Sequence, residues 1–260
     1  MNKIHDILKN FYANQTKSVN KNLDNNVLLE REITRAYIDK FLKPTDKVLE
    51  IGSGLRSYTP YLLEKGVDVT SVDLFQENLE IMKSQCKEVN KTNCLVADIL
   101  NLSIFEDNCF DVVLVFGPLS HLFKDKDVNK AIDEAIRVCK NKGYIIFNYL
   151  TNTSVIYRYG LIKGNLLDCK NTFVNNKFIK KEEDVYASYD IDEFNNSFKN
   201  KRVKHIKEVS LDGLFEILKE STNKLEKDEF NFIKDYQLNN CENKYMLGCS
   251  THILSIFKKD

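Results

Sequence analysis

Two carboxylates and two glycines stand at spacings that suit a nucleoside. Val48-Leu49-Glu50-Ile51-Gly52-Ser53-Gly54 reads as a buried strand that ends in an acid and runs into a tight turn. Val69-Thr70-Ser71-Val72-Asp73-Leu74 reads as a second strand, again ending in an acid. Without a Cβ, Gly52 and Gly54 let the backbone take unusual φ angles and come within contact distance of a ligand. Asp73 follows Gly52 by 21 residues, close to the ~20-residue spacing at which an acid meets ribose hydroxyls. Such charge-assisted bonds are typically worth roughly 1.5–3 kcal/mol each. Between the strands, Thr59 suits an N-cap, Pro60 the first helical position and Gly66 the stop. Together these residues describe half of a mononucleotide-binding βαβ unit.

The turn also selects its ligand. A dinucleotide fingerprint wants G-x-G-x-x-G, and Ser57 stands at the third glycine, which leaves a poorer seat for a pyrophosphate. Glu50 would repel phosphate and welcome an ammonium group. A ligand with a ribose and an amino acid but no phosphate satisfies both conditions, and S-adenosylmethionine (SAM) is such a molecule. At these residues the chain resembles the class I SAM-dependent methyltransferases, whose first motif is an acid followed by G-x-G-x-G. Glu50, Gly52 and Gly54 match that motif, and Arg56 stands at its third glycine. Asp73 matches the ribose-binding acid, and Asp98, in Val96-Ala97-Asp98-Ile99, matches the acid that meets the adenine amino group. The resemblance implies that Glu50 holds the methionine amino end and that Gly52, Ser53 and Gly54 admit the cofactor. It further implies that Leu74 and Ile99 flank adenine, Phe116 lies near the methionyl part, and Tyr12 is an aromatic near the cofactor. The product would be S-adenosylhomocysteine (SAH).

Methyl transfer from a sulfonium is an in-line displacement in which orientation alone supplies ~7–11 kcal/mol. A base is needed only where the nucleophile carries a proton of high pKa. Gly117-Pro118-Leu119-Ser120-His121-Leu122 directly follows the fourth strand. A similar G-P-L-x-H-L stretch occurs in a group of bacterial small-molecule methyltransferases of the type 11/25 kind. His121, with an ordinary pKa near neutrality, is the candidate catalytic residue; bracing of its own loop is the competing reading. Tyr186, Tyr189 and His252 are further candidates for the acceptor side, although His252 reads more simply as a satisfied core histidine. Phe116-Gly117-Pro118-Leu119 lacks the polar clamp of the DNA amino-methylating enzymes.

Elements must position these groups. Alternating strands and helices from Val48 to Leu150 predict a doubly wound, mostly parallel seven-stranded sheet, a Rossmann-like α/β methyltransferase fold with helical lid insertions. The division expected is an N-terminal helical segment or lid over 1–45, a SAM-binding core over 46–150, and the rest of the sheet over 151–260. Insertions at about 151–188 and 210–247 would cover the site, and the last two strands would form an antiparallel edge.

Composition bounds the rest. At 260 residues and 43% hydrophobic content the chain can bury a sizeable core. Lys+Arg and Asp+Glu both number 38, which argues against nucleic acid as the main partner and favours a small-molecule substrate. Seven scattered cysteines with no C-x-x-C predict no metal site and a reducing, cytoplasmic setting. No signal-peptide pattern and no apolar run of membrane-spanning length is visible. Three rival functions stay open: a SAM-binding protein without transferase activity, an NAD-dependent oxidoreductase, and a methyltransferase of RNA or protein.

Overall fold

A computed structural model describes residues 8–9, 24–54, 56–87, 92–174, 177–178 and 186–260. The sheet grows from the apolar runs. Lys47–Ile51 (β1), Asp68–Asp73 (β2), Thr92–Val96 (β3), Phe110–Phe116 (β4) and Cys139–Leu150 (β5) are joined in parallel, and Val203–Ser210 (β8) and His252–Lys259 (β9) complete it. The order is β3-β2-β1-β4-β5-β9-β8, a seven-stranded Rossmann-like α/β sheet. A separate short hairpin pairs Phe173–Val174 (β6) with Lys177–Phe178 (β7).

The last two strands form the antiparallel edge expected of them. β9 pairs antiparallel with both β5 and β8, so it alone runs against the sheet and β8 again runs with β5.

Both faces of β4 are covered, which explains its unbroken apolar run. Val113 and Val115 face a core shared with Val128, Ala131, Ile132 and Ala135 of helix Asp125–Val138, while Leu114 and Phe116 face the opposite core. That second core contains Leu29, Ile33 and Tyr37 of helix Asn25–Phe41 (α1) and Leu62 of helix Thr59–Glu64 (α2). Helix Gln76–Gln85 (α3) links β2 to β3.

The insertions take helical form. The first holds a π-helical stretch, Ser154–Ile162, the helix Leu166–Thr172 and the β6–β7 hairpin; Tyr186 stands in irregular backbone. The second holds Lys219–Thr222, Lys227–Asn240 and Lys244–Leu247. Among the described residues no helix is long and apolar enough to cross a membrane.

Candidate functional site

The carboxyl ends of β1 and β4 meet in a tight backbone contact. Gly52 has φ +83°, and its N–H donates to the Val72 carbonyl at 2.9 Å. A Cβ on Gly52 would lie 2.3 Å from the Phe116 carbonyl oxygen and 2.4 Å from Pro118 Cδ. Only glycine permits this approach, in sterics and in φ. Gly117, φ +105°, turns β4 into the short 3-10 helix Pro118–His121.

A cleft opens beside this contact at the sheet's switch point, where β1 leads to β2 on one side and β4 lies on the other. Gly52, Gly54, Asp73 and Leu74 form its first wall, Asp98 and Ile99 its second, and Gly117, Pro118 and His121 its third. Asp73 is 6% exposed. One of its oxygens accepts from Gly54 N at 2.9 Å, and the other from Phe75 N at 2.9 Å and Asn78 Nδ2 at 3.0 Å. Burial pushes its carboxyl above the ordinary range, against the pull of these donors. Asp98 accepts from Leu100 N at 2.9 Å, which squares the turn after β3.

Residues 49–147 match the family described as the methyltransferase domain. Over these residues the chain carries a methyltransferase domain. Over 161 residues it is 31% identical to ribosomal RNA small subunit methyltransferase A of Clostridium botulinum (strain Okra / Type B1), covering 53% of this chain and 58% of that protein. It is 27% identical over 153 residues to the ubiquinone biosynthesis O-methyltransferase of Nitrosospira multiformis, covering 56% and 62%. The chain thus spans under two thirds of the length of these relatives. A SAM-dependent methyltransferase structure from Methanosarcina mazei superposes with a TM-score of 0.57 at 18% identity, covering 86% of this chain and 96% of that one.

The methyltransferase cleft fits the cofactor of its class. The side-chain-free contact at Gly52 leaves backbone open to a ligand, and Asp73 stands at the cleft wall with its orientation fixed from three sides. Seven of the sequence-selected residues converge here: Gly52, Gly54, Asp73, Leu74, Asp98, Ile99 and His121.

Others stand elsewhere. Glu50, expected at the methionine amino end, is 1% exposed and does not line the cleft. Its carboxylate accepts from Ser57 Oγ, Tyr58 N, Thr59 N and Thr59 Oγ1 at 2.5–2.9 Å. It therefore caps α2 from the end of β1 and ties down the turn, the position where the helix dipole favours an anion. Thr59, expected as the N-cap, is the helix's first residue, and its hydroxyl is engaged by Glu50. Ser53 donates to the Val72 carbonyl at 3.1 Å and is buried. Phe116 packs edge-on against Tyr58 at 5.2 Å, on the α1 side of the sheet.

Tyr189, expected on the acceptor side, is a core residue. Its hydroxyl donates to the carbonyls of Leu119, at 2.7 Å, and Leu122, at 3.0 Å. It thus braces the turn that carries His121, and burial pushes its phenol upward. Tyr186 is exposed and stacks on His121 with ring centroids 5.6 Å apart and 27° between planes. His252 lies on β9, bonded to Asp212. Tyr12 lies outside the described residues.

Sequence reasoning overlooked Asn78 and Lys124. Asn78 is 2% exposed and lines the cleft while holding Asp73. Its signal was an amide in the first turn of α3, five residues after the acid. Lys124 also lines the cleft, and within the mixed-charge run Lys124-Asp125-Lys126 it carries no signal of a site.

Proposed function

We propose that this protein transfers the methyl group of SAM to a small-molecule acceptor at the carboxyl ends of β4 and β5. The observation that carries this reading is the position of Asp73, held by Gly54, Phe75 and Asn78 at the wall of a cleft whose opposite side is the Gly117–His121 turn. Asp73 binds the ribose hydroxyls, and Leu74, Asp98 and Ile99 frame the adenine. Bound there, SAM supplies an electrophilic methyl group on a cationic sulfur. Gly117 and Pro118 shape the wall beside it, and His121, backed by the Tyr186 ring and held on a turn fixed by Tyr189, orients the acceptor. Catalysis rests mainly on alignment.

The helical insertions after β5 and β8 support a small, enclosed acceptor, and so does the equality of 38 basic and 38 acidic residues. The cysteines are all free thiols, which supports a cytoplasmic setting. A second reading, methylation of ribosomal RNA, is favoured by one relative's name.

Calorimetry with SAM, SAH and NAD tests the proposal. SAM and SAH should bind, NAD should not, and Asp73→Ala should weaken SAH tenfold or more, since a bond to a charged group is worth roughly 1.5–3 kcal/mol. Binding of NAD alone, or unchanged SAH affinity in the variant, would refute it. SAH release stimulated by ribosomal RNA and by no small molecule would select the second reading.

A further inference from the structure

A second polar group gathers beyond the cleft, at the carboxyl end of β5. Asp212, in the segment after β8, is 3% exposed. It accepts from the backbone of Thr251 at 2.8 Å, from the Ser250 and Thr251 hydroxyls, and from His252 Nδ1 at 2.9 Å. The last bond fixes the imidazole and its Nδ1–H, so that Nε2 points away from Asp212. Glu30, half-buried on α1, accepts from Asn148 Nδ2 of β5 at 3.3 Å. Arg158, from the π-helical stretch, pairs with Glu216 at 3.0 Å.

Register places this group beside the site of transfer. Asn148 pairs with Phe116, the residue before Gly117, and His252 pairs with Leu150. β4, β5 and β9 are successive neighbours. Strands lie about 4.8 Å apart, so the backbones of the Gly117 turn and His252 are separated by roughly 10 Å, which lets one nitrogen between them meet the imidazole on one side and the methyl group on the other.

Charge then selects the acceptor. Glu216 is matched by Arg158, and Asp212 by His252. Glu30 remains, with no lysine or arginine paired to it among the described residues. A half-buried carboxylate left over favours a cationic group beside it and disfavours an anionic one.

We propose that Glu30 and the Asp212–His252 pair receive an amine-bearing acceptor, with His252 Nε2 taking a proton from its ammonium. The proposal rests on the transferase reading above and names its substrate class. The ammonium gives one proton to neutral His252. The nitrogen pair so freed forms the bond to the methyl carbon, and the pair of the broken sulfur–carbon bond stays on sulfur as the thioether. The proton on His252 then passes to water.

The charges facing His252 come from every element around it. Burial disfavours its cation, but Glu30 and Asp212 outweigh burial and the opposing field of Arg158, so the imidazole titrates above its ordinary value.

Titration of the four histidines by NMR tests this. His252→Asn identifies the signal, and Asp212→Asn should lower its midpoint. Saturating SAM should lower that midpoint relative to saturating SAH, because only SAM carries the sulfonium charge. At roughly 10 Å the shift should be about 0.3 to 1 pH unit. His121, on the cleft wall, is the internal control. A shift in His121 with none in His252 would overturn this inference alone; a shift in neither would overturn the transferase site. With labelled SAM, aliphatic amines should stimulate SAH release, and Glu30→Gln should reduce that release at least tenfold while SAH affinity stays within twofold. Stimulation by phenols or carboxylates only, or by no amine, would overturn the acceptor class.

Discussion

Replacing Gly52 by alanine should separate the two turns that make the cleft. The added Cβ would lie 2.3 Å from the Phe116 carbonyl oxygen and 2.4 Å from Pro118 Cδ, where distances under 3.0 Å force a displacement. Both neighbours are rigid, one a backbone oxygen and the other a proline ring, so the β4 turn must retreat by at least 0.7 Å. The φ of +83° adds roughly 1–2 kcal/mol of strain for a residue with a Cβ. The wall formed by Gly117, Pro118 and His121 then moves relative to Asp73, whose anchor Gly54 lies two residues from the substitution. Displacements near 1 Å cost up to about 100-fold where alignment carries the chemistry. Gly52→Ala should therefore lose at least 1 kcal/mol in urea unfolding, and it should bind SAH at least tenfold more weakly by calorimetry. SAH affinity within twofold of the parent would refute the claim that this contact shapes the cofactor site.

Glu50→Gln should destabilise the protein by about 2–3 kcal/mol. Tyr58 N bonds one carboxylate oxygen and Thr59 N the other, so either orientation of the amide sets its NH2 against an N–H; an unchanged urea midpoint would contradict this. Tyr189→Phe removes the phenol donor from the Leu122 carbonyl and leaves the Leu119 carbonyl only the Leu122 N–H, and it should cost about 1–2 kcal/mol with faster hydrogen exchange at Leu119–Leu122. Exchange unchanged there would show that the phenol does not brace the turn. Stability should also report the buried pair. Asp212 titrates below its ordinary 3.8, so its contribution is present above that pH and is lost as pH falls through the folded value. His252 titrates above its ordinary 6.5, so its contribution is present below that pH and is lost as pH rises through the folded value. The Tm deficit of Asp212→Asn should therefore be largest between pH 3.8 and 6.5, corresponding to about 3 kcal/mol, and a deficit that is flat with pH would refute the pairing.

The elements that hold the cofactor were legible because their signals are local. β1 falls at Lys47–Ile51, where an apolar run meets a glycine turn, and β4 shows the continuous hydrophobicity of a strand buried on both faces. Glycine, acid and spacing located Gly52, Gly54, Asp73 and Asp98 along the cleft for the same reason. What escaped depends on the direction of a side chain after folding. Glu50 ends a strand as Asp73 does, but Ser57, Tyr58 and Thr59 offer donors that draw it beneath the turn. Tyr189 lies 67 and 70 residues from its two carbonyl partners, and no periodicity encodes such a pairing. Asp212 and His252, 40 residues apart, meet only because β8 and β9 are neighbours.

The late position of β9 has a consequence for biosynthesis. It follows every other strand of the sheet in sequence, yet it lies inside the sheet between β5 and β8. While the ribosome is still making His252–Lys259, β5 has an open flank and β8 has no partner. A nascent chain in that state exposes two unpaired ladders at once, which is the condition that invites strand exchange between copies or capture by a chaperone.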